Sequence, residues 1–231
     1  MKVLIISGTS HKGSTYNIGR MIADKLTSSE NISEIFLPGD FGEFCCGCTN
    51  CFMKSEKECP HYDKLRTITE LIDSSDVLVF TTPVYVFHTT GAMKALLDHY
   101  GWRWMVHRPE EKMFSKQAVV VSTAAGMGMK SAIKDVADSC FFWGIPKVYK
   151  YGKAVMETNW ERVKPEIKSK VRKDTDRIAG KILSRVGKVP ISLKTRGLFF
   201  IMSKMQKNGF NQTDVDYWKN KGWTSGKRPW R

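Results

Sequence analysis

Five short apolar runs, each followed by a stretch with helical periodicity, constrain most what this 231-residue chain can fold into. The runs are KVLII at 2–6, EIFL at 34–37, DVLVF at 76–80, QAVVV at 117–121 and the weaker KVYK at 147–150. The first, third and fourth are almost wholly apolar, as strands covered on both faces of a parallel sheet must be. Between them, apolar residues recur on one helical face: Ile18, Met21, Ile22 and Leu26; Leu65, Ile68, Leu71 and Ile72; Met93, Leu96, Leu97 and Tyr100; Ile133, Val136, Ala137, Cys140 and Phe141. A last series, Val163, Ile167, Val171, Ile178 and Ile182, predicts a long helix over about 159–186. Strand and helix in strict alternation give a doubly wound α/β fold. With right-handed crossovers the five-stranded parallel sheet takes the order 2-1-3-4-5.

Ligands of such sheets lie beyond the carboxyl ends of the strands, near the switch between strands 1 and 3. The loops at 7–14, 81–91 and 122–128 are therefore expected to form the site. Residues 1–186 are expected to be one domain, with a cysteine-rich insertion at about 41–63. Residues 187–231 fall outside the alternation. They offer a short apolar helix (Leu198, Phe199, Met202, Met205) and a tail with Trp218, Trp223 and Trp230, suited to core or dimer packing.

Charge is unevenly placed. Residues 1–150 hold 17 Lys/Arg and 16 Asp/Glu, whereas 151–231 hold 20 and 7, so nearly all of the net +14 sits in the last third. Such a run is either a solvated helix face or a surface for an anionic partner. No helix-turn-helix or RNA-binding motif accompanies it, which disfavours nucleic acid. No apolar run is long enough to span a bilayer, and the N-terminus lacks a signal-peptide pattern. A cytoplasmic protein with no membrane partner is the expectation, and in that compartment thiols stay reduced.

The first loop, SGTSHKGST, leads into a helix N-terminus, where backbone N–H groups and the helix dipole favour a phosphate. It has neither the Lys-Ser/Thr ending of a Walker loop nor the G-x-G-x-x-G of a dinucleotide site. A single phosphate, such as that of flavin mononucleotide (FMN), suits it better. In the second loop, TTPVYVFHTTGAMKALLDH, Pro83 stiffens the chain and Tyr85 and Phe87 stand on a loop where flat groups can border a planar ring. Together these stretches resemble the NADPH-dependent FMN reductase family of the flavodoxin-like superfamily. Pro83, Val84, Tyr85, Thr90, Lys94 and Asp98 match its SPVYW…T…LKA.iDR segment, with His99 where that family often has Arg. Gly8, Gly13 and Thr15 match its GSPRKGGNT loop, with Thr9 for Ser, Ser10 for Pro, His11 for Arg and Ser14 for Asn. The resemblance covers about residues 1–150.

The resemblance implies a flavodoxin-like FMN-binding domain. The phosphate would lie on Thr9, His11, Gly13, Ser14 and Thr15, and the ring edge along Pro83, Val84, Tyr85 and Val86. Residues 124–128, Ala124 and Gly126 among them, would line the far side of the ring. It implies an FMN-dependent NAD(P)H oxidoreductase that passes hydride through FMN N5 to a small acceptor such as a flavin, quinone or nitroaromatic, acting as a homodimer. That chemistry needs no side-chain acid or base, so no catalytic residue is assigned. His88 reads as a surface histidine and Cys140 as core packing.

Five of the six cysteines crowd into FCCGCTNCFMKSEKECP. A structural zinc usually takes two separated Cys pairs, so the compact run is closer to iron–sulfur ligation. Cys45, Cys48, Cys51 and Cys59 match the Cys-x₂-Cys-x₂-Cys-x₄₋₇-Cys motif of the iron–sulfur flavoproteins, which carry a 4Fe-4S cluster. With Gly47 and Asp63 they equally match C.GC..C.....C...D, found in flavin reductases not generally taken to hold a cluster. The motif leaves cluster and reduced thiols open, with zinc behind both. Lys54 and Lys57 are cancelled by Glu56 and Glu58. An iron–sulfur flavoprotein exchanging single electrons with ferredoxin is thus the alternative function. A flavin-binding regulatory or nucleic-acid-associated module is the alternative of another class.

Overall fold

The computed structural model describes residues 1–230. Its five strands are β1 (Val3–Ser7), β2 (Ile32–Phe36), β3 (Val77–Thr81), β4 (Gln117–Ala124) and β5 (Lys147–Ala154). They form one sheet in the order β2-β1-β3-β4-β5, with every neighbouring pair parallel. The helices are α1 (Ser14–Asp24), the short α2 (Asn50–Met53), α3 (Tyr62–Ser74), α4 (Gly91–Asp98), α5 (Met129–Phe142), α6 (Pro165–Leu183), α7 (Leu193–Met205) and α8 (Gln212–Asn220).

The twofold alternation of strand side chains divides the interior in two. Leu4, Ile6, Leu78, Phe80 and Val120 face α3, α4 and α5, where Ile68, Leu96, Val136 and Cys140 meet them. Val3, Ile5, Val79, Val119 and Val121 face α1 and α6, packing on Ile18, Ile22, Val171 and Ile182. Fully burying one such side chain stabilises the fold by about 1.5–3 kcal/mol. The continuous apolar runs follow from this double coverage.

Two elements differ from the sequence expectation. The last helix of the domain starts at Pro165, not near 159. Proline suits the first helical turn and forces the residue before it out of the helical region, and Lys164 is extended with ψ 139°. Val163 still reaches the core, from the end of a 3₁₀ turn at Trp160–Arg162. Strand β5 runs on to Ala154 and pairs with β4 as far as Ala124. It is an edge strand in which buried Tyr149 and Tyr151 alternate with polar or small residues, so its apolar signal is diluted.

The C-terminal helices cover a third cluster. Phe199, Met202, Trp218 and Trp223 pack on Met105 and Phe114, which belong to the connection between α4 and β4. The Trp218 indole N–H donates to the His107 carbonyl at 2.5 Å, and Trp230 lies against Phe114 and Phe199. Among the described residues no helix is long and apolar enough to cross a membrane.

Candidate functional site

A cavity of about 380 Å³ opens at the carboxyl edge of the sheet, within the range of cofactor pockets. One wall is the start of α1. Gly13 caps that helix with no side-chain bond, and the first turn carries no acidic residue, so the positive end of α1 faces the cavity. A Cβ on Gly13 would stand 2.6 Å from the Thr158 carbonyl oxygen and 2.7 Å from the His11 ring, so only glycine lets the chain pass. The Ser14 hydroxyl donates to the Glu157 carbonyl at 2.9 Å, and the Ser14 N–H to the Thr158 carbonyl at 3.1 Å. Thr15 Oγ1 pairs with Thr123 Oγ1 at 2.5 Å, tying α1 to the end of β4. His11 lines the cavity, whereas the Lys12 ammonium lies over the Phe36 ring at 4.8 Å.

The facing wall follows β3. The Val84 N–H donates to the Thr123 carbonyl at 3.0 Å, extending the sheet by one bond. Tyr85 and His88 then exchange two backbone hydrogen bonds of 3.0 and 2.9 Å across a two-residue turn. Both turn residues have positive φ, 47° at Val86 and 65° at Phe87. That conformation matches the twist of a hairpin but is costly for a β-branched residue, by roughly 1–3 kcal/mol. The first loop is stitched to this one by the Thr90 hydroxyl, which donates to the Gly8 carbonyl at 2.7 Å and accepts the Met93 N–H that caps α4.

Of the residues expected from sequence, Thr9, His11, Gly13, Ser14, Thr15, Pro83, Val84, Tyr85 and Ala124 line this one cavity. Val86 and Gly126 do not. The hairpin turn throws Val86 into solvent at 93% exposure, and Gly126 sits on an exposed bend with nothing within 4 Å of a Cβ. Thr81, Thr123 and Ala125, from the loops expected to form the site, line it too, whereas the sequence reading missed Tyr16 and the whole segment 155–158, where Val155 and Met156 add apolar wall. The signal for that segment was the Tyr149 and Tyr151 alternation, which carries β5 to the same edge. His88 is tied away from the cavity, with Nδ1 3.1 Å from Asp135 Oδ2.

The cysteine loop leaves the same edge after β2. Cys45, Cys46 and Cys48 are exposed, while Cys51 and Cys59 are half-buried. Burial pushes the Cys51 thiol up to about 11, and the nearby Cys59, Cys45 and Cys48 add to the rise. Cys59 is also raised, first by burial and less by Cys48, Cys45 and Cys46. Positive φ at Gly47 and Thr49 folds the loop back on itself. Its α2 end is pinned from far along the chain. The buried Arg108 guanidinium donates to the Cys51 and Phe52 carbonyls and pairs with buried Asp214 of α8. Asn211 donates to the Phe52 carbonyl at 2.8 Å and Thr213 to the Met53 carbonyl at 2.9 Å. Cys140 lies fully inside the core, where burial raises its thiol pKa.

The model of the family described as NADPH-dependent FMN reductase matches residues 1–155. An iron–sulfur flavoprotein of Archaeoglobus fulgidus is 28% identical over 156 residues, 64% of this chain and 66% of the relative. The chain spans about half the length of an iron–sulfur flavoprotein of Clostridioides difficile, at 29% identity over 121 residues, 51% of this chain and 48% of that relative. Among solved structures, one described as flavone reductase superposes with a TM-score of 0.58 at 16% identity, over 83% of this chain and 66% of that one. An FMN-dependent NADH-azoreductase of Bacillus anthracis in complex with FMN gives 0.53 at 14% identity, over 78% of this chain and all of that one. At these identities the superpositions establish the flavodoxin-like fold.

Proposed function

The chain belongs to the NADPH-dependent FMN reductase family, and on that premise we propose that its cavity holds FMN and that it is an FMN-dependent oxidoreductase supplied by NADH or NADPH. The observation that carries this reading is the uncapped N-terminus of α1 opening on a cavity walled by hydroxyls on one side and a flat loop on the other. Bound there, FMN supplies two-electron chemistry, taking hydride from a nicotinamide and passing electrons to a small acceptor such as a flavin, quinone or nitroaromatic.

The protein's own part is holding and orienting. The Thr15 and Tyr16 N–H groups in the first turn of α1, with the hydroxyls of Thr9 and Thr15 and the His11 ring, suit a phosphate dianion. Pro83, Val84 and Tyr85 suit the edge of a planar ring, and the small Ala124 and Ala125 permit close backbone approach on its far side. Among the described residues the only acid–base side chains lining the cavity are His11, Tyr16, Tyr85 and Glu157. Hydride transfer needs none of them, so none is given a catalytic role. Tyr85, Val86, Phe87, Met127 and Met156 are exposed apolar groups on these loops. They suit a mouth closed by a second copy of the chain, so a homodimer is proposed.

The spacing of the cysteine run supports a second reading. Cys45, Cys48, Cys51 and Cys59 would hold a 4Fe-4S cluster, and electrons would leave singly to a ferredoxin-like partner, as the names of the curated relatives suggest.

Anaerobic purification followed by mixing with NADPH or NADH tests both readings. The expected result is flavin absorbance that bleaches on mixing. Protein that takes up no FMN overturns the first reading. Iron and acid-labile sulfide near four per chain would support the cluster, and their absence would overturn it.

A further inference from the structure

Cys59 has a second set of neighbours, and they are nitrogens. One ligand atom each from Cys59, His61 and His99 lie within 4.8 Å of one another. His61 stands at the start of α3, and His99 arrives from the end of α4. His99 is only 4% exposed, and the Phe41 ring packs edge-on against it. Its Nδ1 lies 2.7 Å from the Ala95 carbonyl oxygen. A carbonyl only accepts, so Nδ1 carries the proton and Nε2 presents its lone pair inward. That lone pair meets His61 Nδ1 at 2.9 Å. The outer nitrogen of His61, Nε2, faces Glu43 Oε2 at 3.9 Å.

The His99 imidazole is therefore held by its outer nitrogen on a backbone carbonyl, while the outer nitrogen of His61 faces the Glu43 carboxylate beyond hydrogen-bond distance. Each ring turns its inner nitrogen to a common point beside a thiol. This is how outer contacts fix the tautomer and aim of metal-binding histidines. A chance contact between two rings would require neither the thiol nor the carbonyl that orients His99.

We propose that Cys59 Sγ, His61 Nδ1 and His99 Nε2 form a mononuclear site for a divalent metal ion of the zinc type. Two imidazoles and a thiolate suit zinc and exclude magnesium or calcium, which take oxygen ligands. On binding, the thiol proton passes to solvent and the His61 proton moves from Nδ1 to Nε2, which faces Glu43, so one proton is released for each metal bound. Cys59 and His99 also border a cavity of about 120 Å³, enough for water in a fourth position. His99 occupies a position where the family motif carries Arg, so the site belongs to this chain's own departure from the pattern. A four-thiolate cluster needs Cys59 too, so the two cannot be filled together. The donors of the zinc site are already convergent, whereas Cys45 and Cys48 lie exposed.

The test is a zinc titration of the full chain, stripped by chelator and read against a competing chromophoric chelator, with cobalt(II) then added for its spectrum. One zinc per chain is expected, with a cobalt band of one-thiolate intensity. H61A and H99Q should weaken zinc at least a hundredfold and E43Q about tenfold, while C45S and C48S leave it unchanged. Affinity that survives H61A, or falls as much in C45S and C48S as in C59S, overturns the proposal. His61 is partly exposed, so H61A stands even where H99Q fails to fold. FMN uptake is measured on the same samples. Protein that binds FMN but no zinc overturns the metal site alone, and protein that binds zinc but no FMN overturns only the flavin reading.

Discussion

The connection from β1 to α1 runs only from residue 8 to 13, whereas that from β2 to α3 runs from 37 to 61. Both leave the same edge of the sheet, yet different parts of the molecule hold them. The short loop is fixed by the ends of neighbouring strands and the turns beyond them. The Gly8 N–H donates to the Thr81 carbonyl at 2.7 Å, Thr90 binds the Gly8 carbonyl, and Ser14 binds the Glu157 carbonyl. The long loop is fixed by side chains that the sheet does not supply: Arg108, Asn211 and Thr213 on its backbone, with Asp214 holding Arg108. The first site is thus a consequence of the fold, and the second is a graft whose shape depends on the C-terminal helices.

Separating the two is the way to break this picture, and the largest expected effect is at the graft. Asp214→Ala strands a buried guanidinium and should lower unfolding free energy by about 3–5 kcal/mol, read by denaturant melts. In the folded fraction Cys51 should label faster with a thiol reagent while FMN affinity holds. A parallel loss of FMN affinity would show the two loops to be one unit.

The opposite, amino edge of the sheet supplies a control that neither loop reaches. Lys116 is buried there, bonded to the Asp73 and Ser75 carbonyls, and burial lowers its pKa to about 8. Between that value and an unfolded one near 10.5, the unfolded chain binds the extra proton, so stability rises with pH across the window. The increment is about 3 kcal/mol in order of magnitude. Melts at pH 7.5 and pH 10 should show it, and Lys116→Met should remove it without altering FMN affinity or thiol labelling.

Gly13→Ala should act on the short loop alone. Its Cβ would meet the Thr158 carbonyl at 2.6 Å, and FMN affinity should fall at least about a hundredfold, or about 2.7 kcal/mol. The smallest effect is expected of Thr15→Val, which removes one hydroxyl and leaves Thr123 unpaired. A fivefold to tenfold weaker FMN affinity, about 1 kcal/mol, would be measured by fluorescence titration.

The same contrast explains what could be read in advance. Double burial writes a strand as a continuous apolar run, and crossover handedness then leaves one strand order, so the sheet was legible. The first loop, proposed to hold the phosphate, could be singled out because its features are local, a glycine, hydroxyls and a helix start within a few residues. Residues 155–158 were missed because β5 is an edge strand whose Tyr149 and Tyr151 alternate with polar groups. Pro165 was visible, but the apolar spacing of Val163 and Ile167 ran across it. Hairpin turns with two positive φ angles ordinarily carry Asn or Gly, so a Val86–Phe87 turn left no mark. His99 beside Cys59 and Arg108 beside Cys51 join residues far apart in the chain, and local spacing does not encode such pairs.

The central claim is that the end of α1, which no side chain caps, binds the phosphate of a flavin. Parallel equilibrium titrations of the full chain with FMN and with riboflavin, which lacks only that phosphate, test it most directly. The account predicts FMN binding at least about a hundredfold tighter than riboflavin. Equal affinities, or no binding of either, would contradict it.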